Sequence, residues 1–185
     1  MEVKGTAVKS IPEFVRKNFP LQYQQWLNAL PESSYKIMNG LLFTNNWYPL
    51  KDSLIVPMRV ISNIFFGGDE IRTARTMGRF SAEIALTGIY KFFIQFGSPK
   101  YIIEKGGRIF SAYFQPSEMV IVNFTNNSLL VHITIFPESD EIVENNIAGW
   151  MERALEISGC KNVNIDITQS LARNDKVTEF RFSWK

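Results

Sequence analysis

The sequence predicts an α+β fold in which an N-terminal layer of helices packs on a C-terminal antiparallel sheet. Apolar residues recur at spacings of three and four from about residue 12 to residue 114, which is the helical period, and at a spacing of two after Pro116. The 185 residues include 25 aromatic ones, enough large side chains for one sizeable core. We therefore expect a single domain, 1–185, with a mainly helical part, 1–115, and a sheet-containing part, 116–185, in ββαββ order.

Prolines and glycines mark the boundaries of the first helices. Pro12 suits a first helical turn, and a second helix carrying Trp26 should stop before Pro31. A third helix is expected to open at Pro49, to bend at the internal Pro57, and to end at Gly67-Gly68.

The longest helix should begin after Asp69, a good N-cap residue, and continue to about Phe96. Ser98-Pro99 then predicts the start of the next helix, which continues to Phe114. The apolar stripe of the long helix is small in its middle, which predicts that a neighbouring helix crosses closely there. This stripe comprises Ala74, Met77, Ser81, Ile84, Gly88 and Phe92.

The last third of the chain reads as two strands, a helix and two strands. Met119–Phe124 and Leu129–Phe136 flank Asn126-Asn127-Ser128, a hairpin turn in which Asn would tolerate a positive φ. A helix from Ser139 to Ser158, acidic in its first turn, should stop at Gly159. Alternating apolar residues predict two further strands, one beginning at Val163 and one containing Phe180, Phe182 and Trp184.

The sequence also indicates the cellular compartment of the protein. A lone Cys160 cannot form an intramolecular disulfide, and the first ten residues lack the apolar region of a signal peptide. The longest run without a formal charge, Met119 to Pro137, contains a turn signal in its middle and so favours a hairpin over a membrane span. We expect a cytoplasmic protein.

Charge is unevenly distributed, although the net charge is only +2. Residues 1–110 carry 14 basic and 8 acidic side chains, a balance of +6, whereas residues 111–185 carry 6 and 10, a balance of -4. Arg72, Arg75 and Arg79 share one helical face and could contact an anionic partner. The favoured alternative is a solvated face neutralised by Asp69, Glu70 and Glu83, so no nucleic-acid partner is expected.

Motifs spread over nearly the whole chain carry a family resemblance. The chain resembles an uncharacterised bacterial family of the myxobacterial type, whose layout is similar to a superfamily of haem-based nitric-oxide sensors, 4-vinyl-reductase-type ligand-binding domains and trafficking-particle subunits. The matching segments include Trp47-Tyr48-Pro49-Leu50, Gly67-Gly68-Asp69, Gly78-Arg79-Phe80, Thr87 to Phe93, Gly97-Ser98-Pro99, Tyr113-Phe114, Gly149 to Glu156 and Thr178 to Trp184. The resemblance implies helices over an antiparallel sheet, frequent dimers, and a cavity that holds a hydrophobic ligand.

The functional residues of the better-known relatives do not carry over. A haem sensor of that kind needs a proximal His and a Tyr-x-Ser-x-Arg motif, but the only histidine, His132, lies in a predicted strand and no Tyr has that spacing. The 4-vinyl-reductase-type domains carry paired Cys where this chain has Ser170 and Thr178. A thiolate metal site like theirs has therefore lost its ligands. We expect no haem, no metal and no other cofactor.

Other chemical signals are weak. Gly67-Gly68-Asp69-Glu70 copies the letters of a diguanylate-cyclase signature, but it lies between two helical patterns instead of at a hairpin tip. His132 has no accompanying nucleophile motif and is better explained as a hydrogen-bonded structural residue. Cys160 is expected to be a buried, inert thiol. Enzymatic activity is therefore only the third hypothesis.

The leading hypothesis is a non-enzymatic domain that binds a hydrophobic small molecule, such as a lipid or acyl chain, and senses it for a signalling partner. The alternative is a protein-interaction module with a filled core, and each candidate residue could equally be ordinary core packing. We expect a homodimer with the helical layer at its interface. The predicted ligand-binding residues, with Arg79 or His132 as anchors for a polar head, are Trp47, Phe65, Arg79, Ile84, Phe92, Phe93, Phe110, Tyr113, Phe114 and His132.

Overall fold

A computed structural model describes residues 1–87 and 99–185, with side chains described for 1–86 and 103–185. It confirms the α+β class: helices pack against antiparallel sheets. The helices are α1 (Gly5–Asn18), α2 (Tyr23–Asn28), α3 (Glu32–Asn39), α4 (Val56–Phe65), α5 (Glu70–Thr87), α6 (Pro99–Tyr113) and α7 (Glu141–Ile157). The strands are β1 (Glu2–Lys4), β2 (Trp47–Pro49), β3 (Phe114–Gln115), β4 (Glu118–Phe124), β5 (Ser128–Ile135), β6 (Asn164–Gln169) and β7 (Thr178–Ser183).

The strands form two antiparallel sheets. The larger sheet has the order β4-β5-β7-β6, so β4 and β6 are its edges in the described part of the chain. The smaller sheet, β2-β1-β3, joins segments far apart in sequence, with Val3 opposite both Tyr48 and Phe114. Such short strands carry no alternating pattern, and for that reason the sequence did not predict this second sheet.

The start of the chain differs from the prediction in two places. Helix α1 begins at Gly5, so Pro12 lies inside it instead of in its first turn. Pro49 is the last residue of strand β2, and the helix predicted to open there begins one residue later, at Leu50, with a π-helical turn, Lys51–Ile55, before α4. Pro57 lies directly after this π-helical turn, inside a helical run that continues from Leu50 to Phe65, as the sequence predicted.

The predicted end signals of α5 and α7 hold. Asp69 accepts a hydrogen bond from the Arg72 backbone N–H (2.9 Å), and Asp140 accepts one from the Ile142 N–H (3.0 Å) at the start of α7. Gly159 follows α7 with a φ of +106°, a left-handed conformation that glycine adopts at little cost. The predicted residues of α5 beyond Thr87 lie outside the described part of the chain.

The predicted hairpin is present, but its turn is built differently. Strands β4 and β5 pair as expected, from Glu118 opposite Ile135 to Phe124 opposite Leu129. Neither Asn126 nor Asn127 has a positive φ; the turn is closed instead by a hydrogen bond from the Thr125 N–H to the Ser128 carbonyl (2.9 Å). No helix in the described part of the chain is long and apolar enough to cross a membrane.

Helices α5 and α7 cross with their backbones in close contact. A Cβ atom on Gly78 would lie 2.0 Å from the Asn146 carbonyl oxygen, and one on Gly149 would lie 2.3 Å from the Arg75 carbonyl oxygen. Only glycine allows the two backbones to approach this closely. The predicted close crossing therefore exists, although it is centred on Gly78 and not on the stripe that contains Ile84.

Candidate functional site

An apolar cavity lies between helices α5, α6 and α7 and the inner face of the larger sheet. It opens to the surface and contains about 90 Å³ that the centre of a water molecule can occupy. Its walls come from seven elements. The lining residues are Ala7, Ser81, Ile103, Gly106, Ile109, Phe110, Tyr113, Phe114, Met119, Ile121, Leu129, Val131, Asn146, Ile147, Trp150, Met151, Ala154 and Leu155.

Secondary-structure periodicity explains the lining. On α6, Ile103, Gly106, Phe110 and Tyr113 are separated by three or four residues and so share one face. On β5, Leu129 and Val131 are both buried on the inner face. Helix α7 supplies two parallel stripes and six of the described lining residues, one more than α6.

Aromatic packing holds the α6 wall in place. The Phe110 and Phe114 ring centroids are 5.2 Å apart, and Phe136 lies 5.9 and 5.4 Å from them. Tyr113 meets Trp150 of α7 with centroids 6.4 Å apart. These rings limit the collapse of α6 onto α7, so space remains between the two helices.

The cavity has a polar end where α5 crosses α7. Ser81, Asn146 and Trp150 line this end, and Asn146 donates from Nδ2 to the Ala74 carbonyl (3.3 Å). The Trp150 Nε1 is buried and has no hydrogen-bond partner. The lining residues include no Asp, Glu, Lys, Arg or His, so the described wall carries no formal charge.

The structure brings together three of the ten residues predicted to bind the ligand. Phe110, Tyr113 and Phe114 line the cavity. Phe92 and Phe93 lie outside the described residues. The other five, placed elsewhere by the structure, are Trp47, Phe65, Arg79, Ile84 and His132.

Trp47, Phe65 and Ile84 lie away from the cavity. Trp47 is in β2 beneath the Lys4 ammonium, 4.4 Å from its ring centroid, and Phe65 stacks on Phe19 with centroids 4.1 Å apart. Ile84 is 40% exposed, so the prediction that it faces the sheet is wrong. The Gly78 crossing rotates α5 so that Ser81, and not Ile84, faces the interior.

Arg79 is held by carboxylates of α7. It donates to Glu156 through both terminal nitrogens (2.9 and 2.8 Å) and pairs with Glu152 at 3.1 Å. The hydrogen bonds that Arg79 donates to Glu156 raise the pKa of the Arg79 guanidinium. Burial opposes ionisation of Glu156, yet its hydrogen bonds from Arg79 and Arg153 lower the pKa of that carboxyl overall. Arg79 therefore bridges two helices and does not reach the cavity as an anchor for a polar head.

The other two arginines of the predicted stripe are also engaged. Arg75 donates to Asn145 Oδ1 (3.1 Å), and burial lowers its pKa. The Arg72 guanidinium lies over the Phe66 ring, 5.9 Å from the centroid. The three arginines therefore make separate contacts with different parts of the fold. They do not form the solvated face, neutralised by Asp69, Glu70 and Glu83, that the sequence favoured.

His132 lies on the face of the sheet opposite the cavity. Its Nε2 is 2.7 Å from Glu179 Oε2, and Glu179 Oε1 accepts from Thr168 (2.6 Å) and Arg181 (2.8 Å). Hydrogen bonds from Thr168, His132 and Arg181 lower the pKa of Glu179 to about 2. This pairing is the structural role predicted for the histidine, and among the described contacts no Ser, Thr or Cys side chain is hydrogen-bonded to the imidazole itself.

Ser170 and Thr178 meet at a buried carboxylate. Both hydroxyls donate to Glu144, each at 2.5 Å, and the Ser139 hydroxyl (3.1 Å) and the Ala172 N–H (3.3 Å) donate to it as well. Cys160 is buried elsewhere, as expected. Among the described side chains no three His, Cys, Asp or Glu residues form a group that could hold a metal ion.

The sequence did not reveal the α7 and β4 walls. The stripe on α7 that contains Ile147, Trp150 and Met151 was visible, but it is the same pattern that a helix packed directly on a sheet would show. Met119 and Ile121 alternate on β4 in the same way as any strand residues facing a core. No local signal separates a wall from a packed surface.

Comparison with solved structures shows that the chain has the fold of H-NOX domains. An H-NOX protein from S. oneidensis in its Fe(II)NO state superimposes with a TM-score of 0.75 over 98% of this chain and 99% of that one, at 9% identity. The Fe(II) unliganded H-NOX protein from K. algicida gives 0.71 over 98% and 96%, at 11% identity. A mutant of T. tengcongensis H-NOX gives 0.66 over 98% and 97%, at 10% identity.

These matches confirm the resemblance at the level of the fold. No model of a known protein family matches the chain, and no curated protein matches it by sequence.

Haem, which the fold implies, does not fit the described residues. Tyr113, Met119 and Met151 line the cavity, and such side chains ligate haem iron in some proteins. However, the described lining offers no cation for the two haem propionates, and buried unpaired carboxylates are costly. At about 90 Å³ the cavity is also smaller than the roughly 150 Å³ cavity that accommodates benzene.

Proposed function

We propose that this protein is a non-enzymatic sensory domain that binds a small hydrophobic molecule in the cavity between α5, α6, α7 and the larger sheet. The observation that carries the proposal is an apolar, uncharged cavity at the junction of these elements. Ordinary core packing leaves few voids larger than a water molecule. A space for several waters, lined by Phe110, Leu129 and Ile147, is a poor site for water and a good one for an apolar ligand.

Cavity size favours a compact ligand over a long acyl chain. Burying about eight carbon-sized groups at ~0.8 kcal/mol each contributes ~6 kcal/mol. Association costs ~4–15 kcal/mol, so measurable affinity requires a cavity that is already formed. The ring contacts of Phe110, Phe114 and Phe136 provide that rigidity.

The position of the cavity suits a sensor. Its walls belong to α6, to α7 and to the sheet, and Tyr113 already meets Trp150 across the two helices. A ligand that fills the space adds contacts to all three walls at once. Occupancy therefore favours the conformation in which α6 and α7 are held together, and a signalling partner could detect that change in population.

A cavity-filling variant tests the proposal. Val131→Phe adds bulk inside the cavity, and Val60→Phe is the matched change on α4, outside the lining. We expect isothermal titration with cumene to detect binding to the parent and to Val60→Phe, and at least tenfold weaker binding to Val131→Phe. If the parent binds no cumene and Val131→Phe melts several degrees lower, the space is packed core and the proposal fails.

One observation favours a second candidate, a protein-interaction module that pairs through a strand edge. In the described part of the chain β4 pairs only with β5, and it exposes Val120 (39%) and Val122 (49%) without any charge between Met119 and Asn123. An apolar edge strand that pairs on one side only is a template for another strand. The corresponding edge of a second copy of this chain would complete it and give a homodimer.

Light scattering at high micromolar concentration tests this candidate. We expect a dimer of the parent that Val122→Lys converts to a monomer of about 21.3 kDa. Leu21→Lys, at a side chain 93% exposed in the helical layer, should leave the dimer intact. A dimer disrupted by Leu21→Lys and not by Val122→Lys would place the interface on the helices, and a monomeric parent would remove the candidate.

A further inference from the structure

Trp150 is an unsatisfied hydrogen-bond donor in the cavity wall. Other indoles of this chain show how a buried Nε1 is normally satisfied: Trp26 donates to the Pro57 carbonyl at 3.3 Å and Trp184 to the Asn126 carbonyl at 3.1 Å. The Trp150 Nε1 is equally shielded from solvent but has no acceptor. Buried polar groups without partners are rare in folded proteins, and a missing ligand is one explanation for such a group.

Neighbouring groups make this end of the cavity the place for a polar atom. Trp150 and Asn146 are four residues apart on α7 and so lie on one face of the helix. That face meets α5 at Gly78, three residues before Ser81. The opposite walls, on α6, β4 and β5, are formed by apolar and aromatic side chains apart from the Tyr113 hydroxyl.

The lining also bears on the charge of the ligand. Its described residues include no Lys, Arg or His that could pair with a carboxylate or phosphate, and no acid that could pair with an amine. Arg79 is already engaged by Glu152 and Glu156, and His132 lies on the opposite face of the sheet. An ionised ligand would lose its hydration without gaining a counter-charge.

We propose that the cavity, together with its opening to the surface, takes an uncharged apolar molecule with a single ring, and that Trp150 Nε1 donates a hydrogen bond to a carbonyl or ether oxygen on it. The inference rests on the proposed function, because it names the class of ligand for the same cavity. Ser81 and Asn146 border the oxygen, and the apolar body of the ligand lies against Phe110, Leu129 and Val131.

Three probes of equal heavy-atom skeleton separate the alternatives. Acetophenone carries a carbonyl acceptor, cumene has a methyl group in place of that oxygen, and benzoate is ionised at pH 7. Each is titrated into the parent, into Trp150→Phe, which lacks the N–H, and into Met151→Leu, a matched change in the same wall that leaves Trp150 intact. The ¹H–¹⁵N spectrum of the parent follows the indole N–H, whose signal is identified by its loss in Trp150→Phe.

We expect acetophenone to move the Trp150 indole proton downfield and cumene to leave it near its free position. The affinity ratio of acetophenone to cumene should fall five- to tenfold in Trp150→Phe, or about 1–1.4 kcal/mol at 1.4 kcal/mol per factor of ten. Met151→Leu should keep the ratio of the parent. A general loss of affinity caused by the smaller Phe side chain affects both ligands equally and therefore cancels in this ratio.

The remaining outcomes separate this inference from the proposed function. Suppose that cumene and acetophenone both bind, but the Trp150 indole proton does not move and Trp150→Phe leaves the acetophenone-to-cumene affinity ratio unchanged. Trp150 is then not a donor to the ligand, although the cavity remains a binding site. Benzoate binding more tightly than acetophenone overturns the uncharged class. If neither cumene nor acetophenone binds the parent, the proposed function fails and the inference fails with it.

Discussion

Replacing Gly78 by alanine tests the crossing of α5 and α7 that shapes the polar end of the cavity. The new Cβ would lie 2.0 Å from the Asn146 carbonyl oxygen and 2.8 Å from the Trp150 backbone nitrogen. Both are backbone atoms, so no side-chain rotation can relieve the contact. Because Cβ atoms essentially never approach a heavy atom within 3.0 Å, the helices must separate by about 1 Å.

The magnitude follows from two opposing effects. Overpacking a well-packed interface costs ~1–3 kcal/mol, and a contact between two backbones belongs at the upper end of that range. Alanine in place of glycine in a helix interior recovers ~1 kcal/mol. We expect Gly78→Ala to lower the free energy of unfolding by about 2 kcal/mol, which for a chain of this size lowers the melting temperature by about 4–8 °C.

Gly106 provides the matched control. It also lies inside a helix, but a Cβ there would meet only the flexible end of Met119, at 3.4 Å. Thermal unfolding of Gly106→Ala should therefore be unchanged or up to ~1 kcal/mol more stable. If Gly78→Ala and Gly106→Ala give the same melting temperature, the backbones are not in the close contact described, and the reasoning about the crossing is refuted.

Three further predictions concern groups outside the cavity. Hydrogen bonds from Thr168, His132 and Arg181 hold the pKa of Glu179 at about 2, below its usual 4.5. The ionised Glu179 therefore stabilises the fold fully above pH 4.5, and this contribution is lost as the pH falls toward 2. The melting temperature of Glu179→Gln should decline less over this pH interval than that of the parent. Glu144→Gln should cost ~1–3 kcal/mol in urea unfolding, because an amide N–H₂ would replace one of the oxygens that accept from Ser170 and Thr178, and an unchanged midpoint would contradict their contribution. Burial raises the pKa of the Cys160 thiol, so its reaction with a disulfide reagent at pH 7.5 should be slow in the native protein and fast in denaturant; equal rates would show an accessible thiol.

Local signals were sufficient for the elements whose ends are chemically marked. Helix α7 was predicted from the acidic residues of its first turn and from Gly159 after its end, signals that act within a few residues along the chain; the structure adds the N-cap at Asp140 and begins the helix at Glu141 instead of Ser139. The β4–β5 hairpin follows from alternation on both sides of a short polar turn. These features depend on neighbouring residues alone, so the sequence by itself determined them.

The small sheet and the Pro49 region depended on distant partners. Strand β1 pairs with β2 and β3, more than 40 and 110 residues away, through only two or three residues each. Pro49 is compatible with a helix start and with the end of an edge strand, and only the pairing of Glu2 with Pro49 decides between them. No periodicity in so short a segment could have shown this.

The sequence identified part of the cavity lining, Phe110 and Tyr113 of α6 and the adjoining Phe114 of β3, because an aromatic face on a predicted helix must meet something apolar. Whether the helix and sheet surfaces opposite these rings fill the space between them was decided by the tertiary structure. The approach of Gly78 to Asn146 sets the rotation of α5, and it places Ser81 inside and Ile84 outside. This approach depends on packing between two separate elements, which no single stretch of sequence encodes.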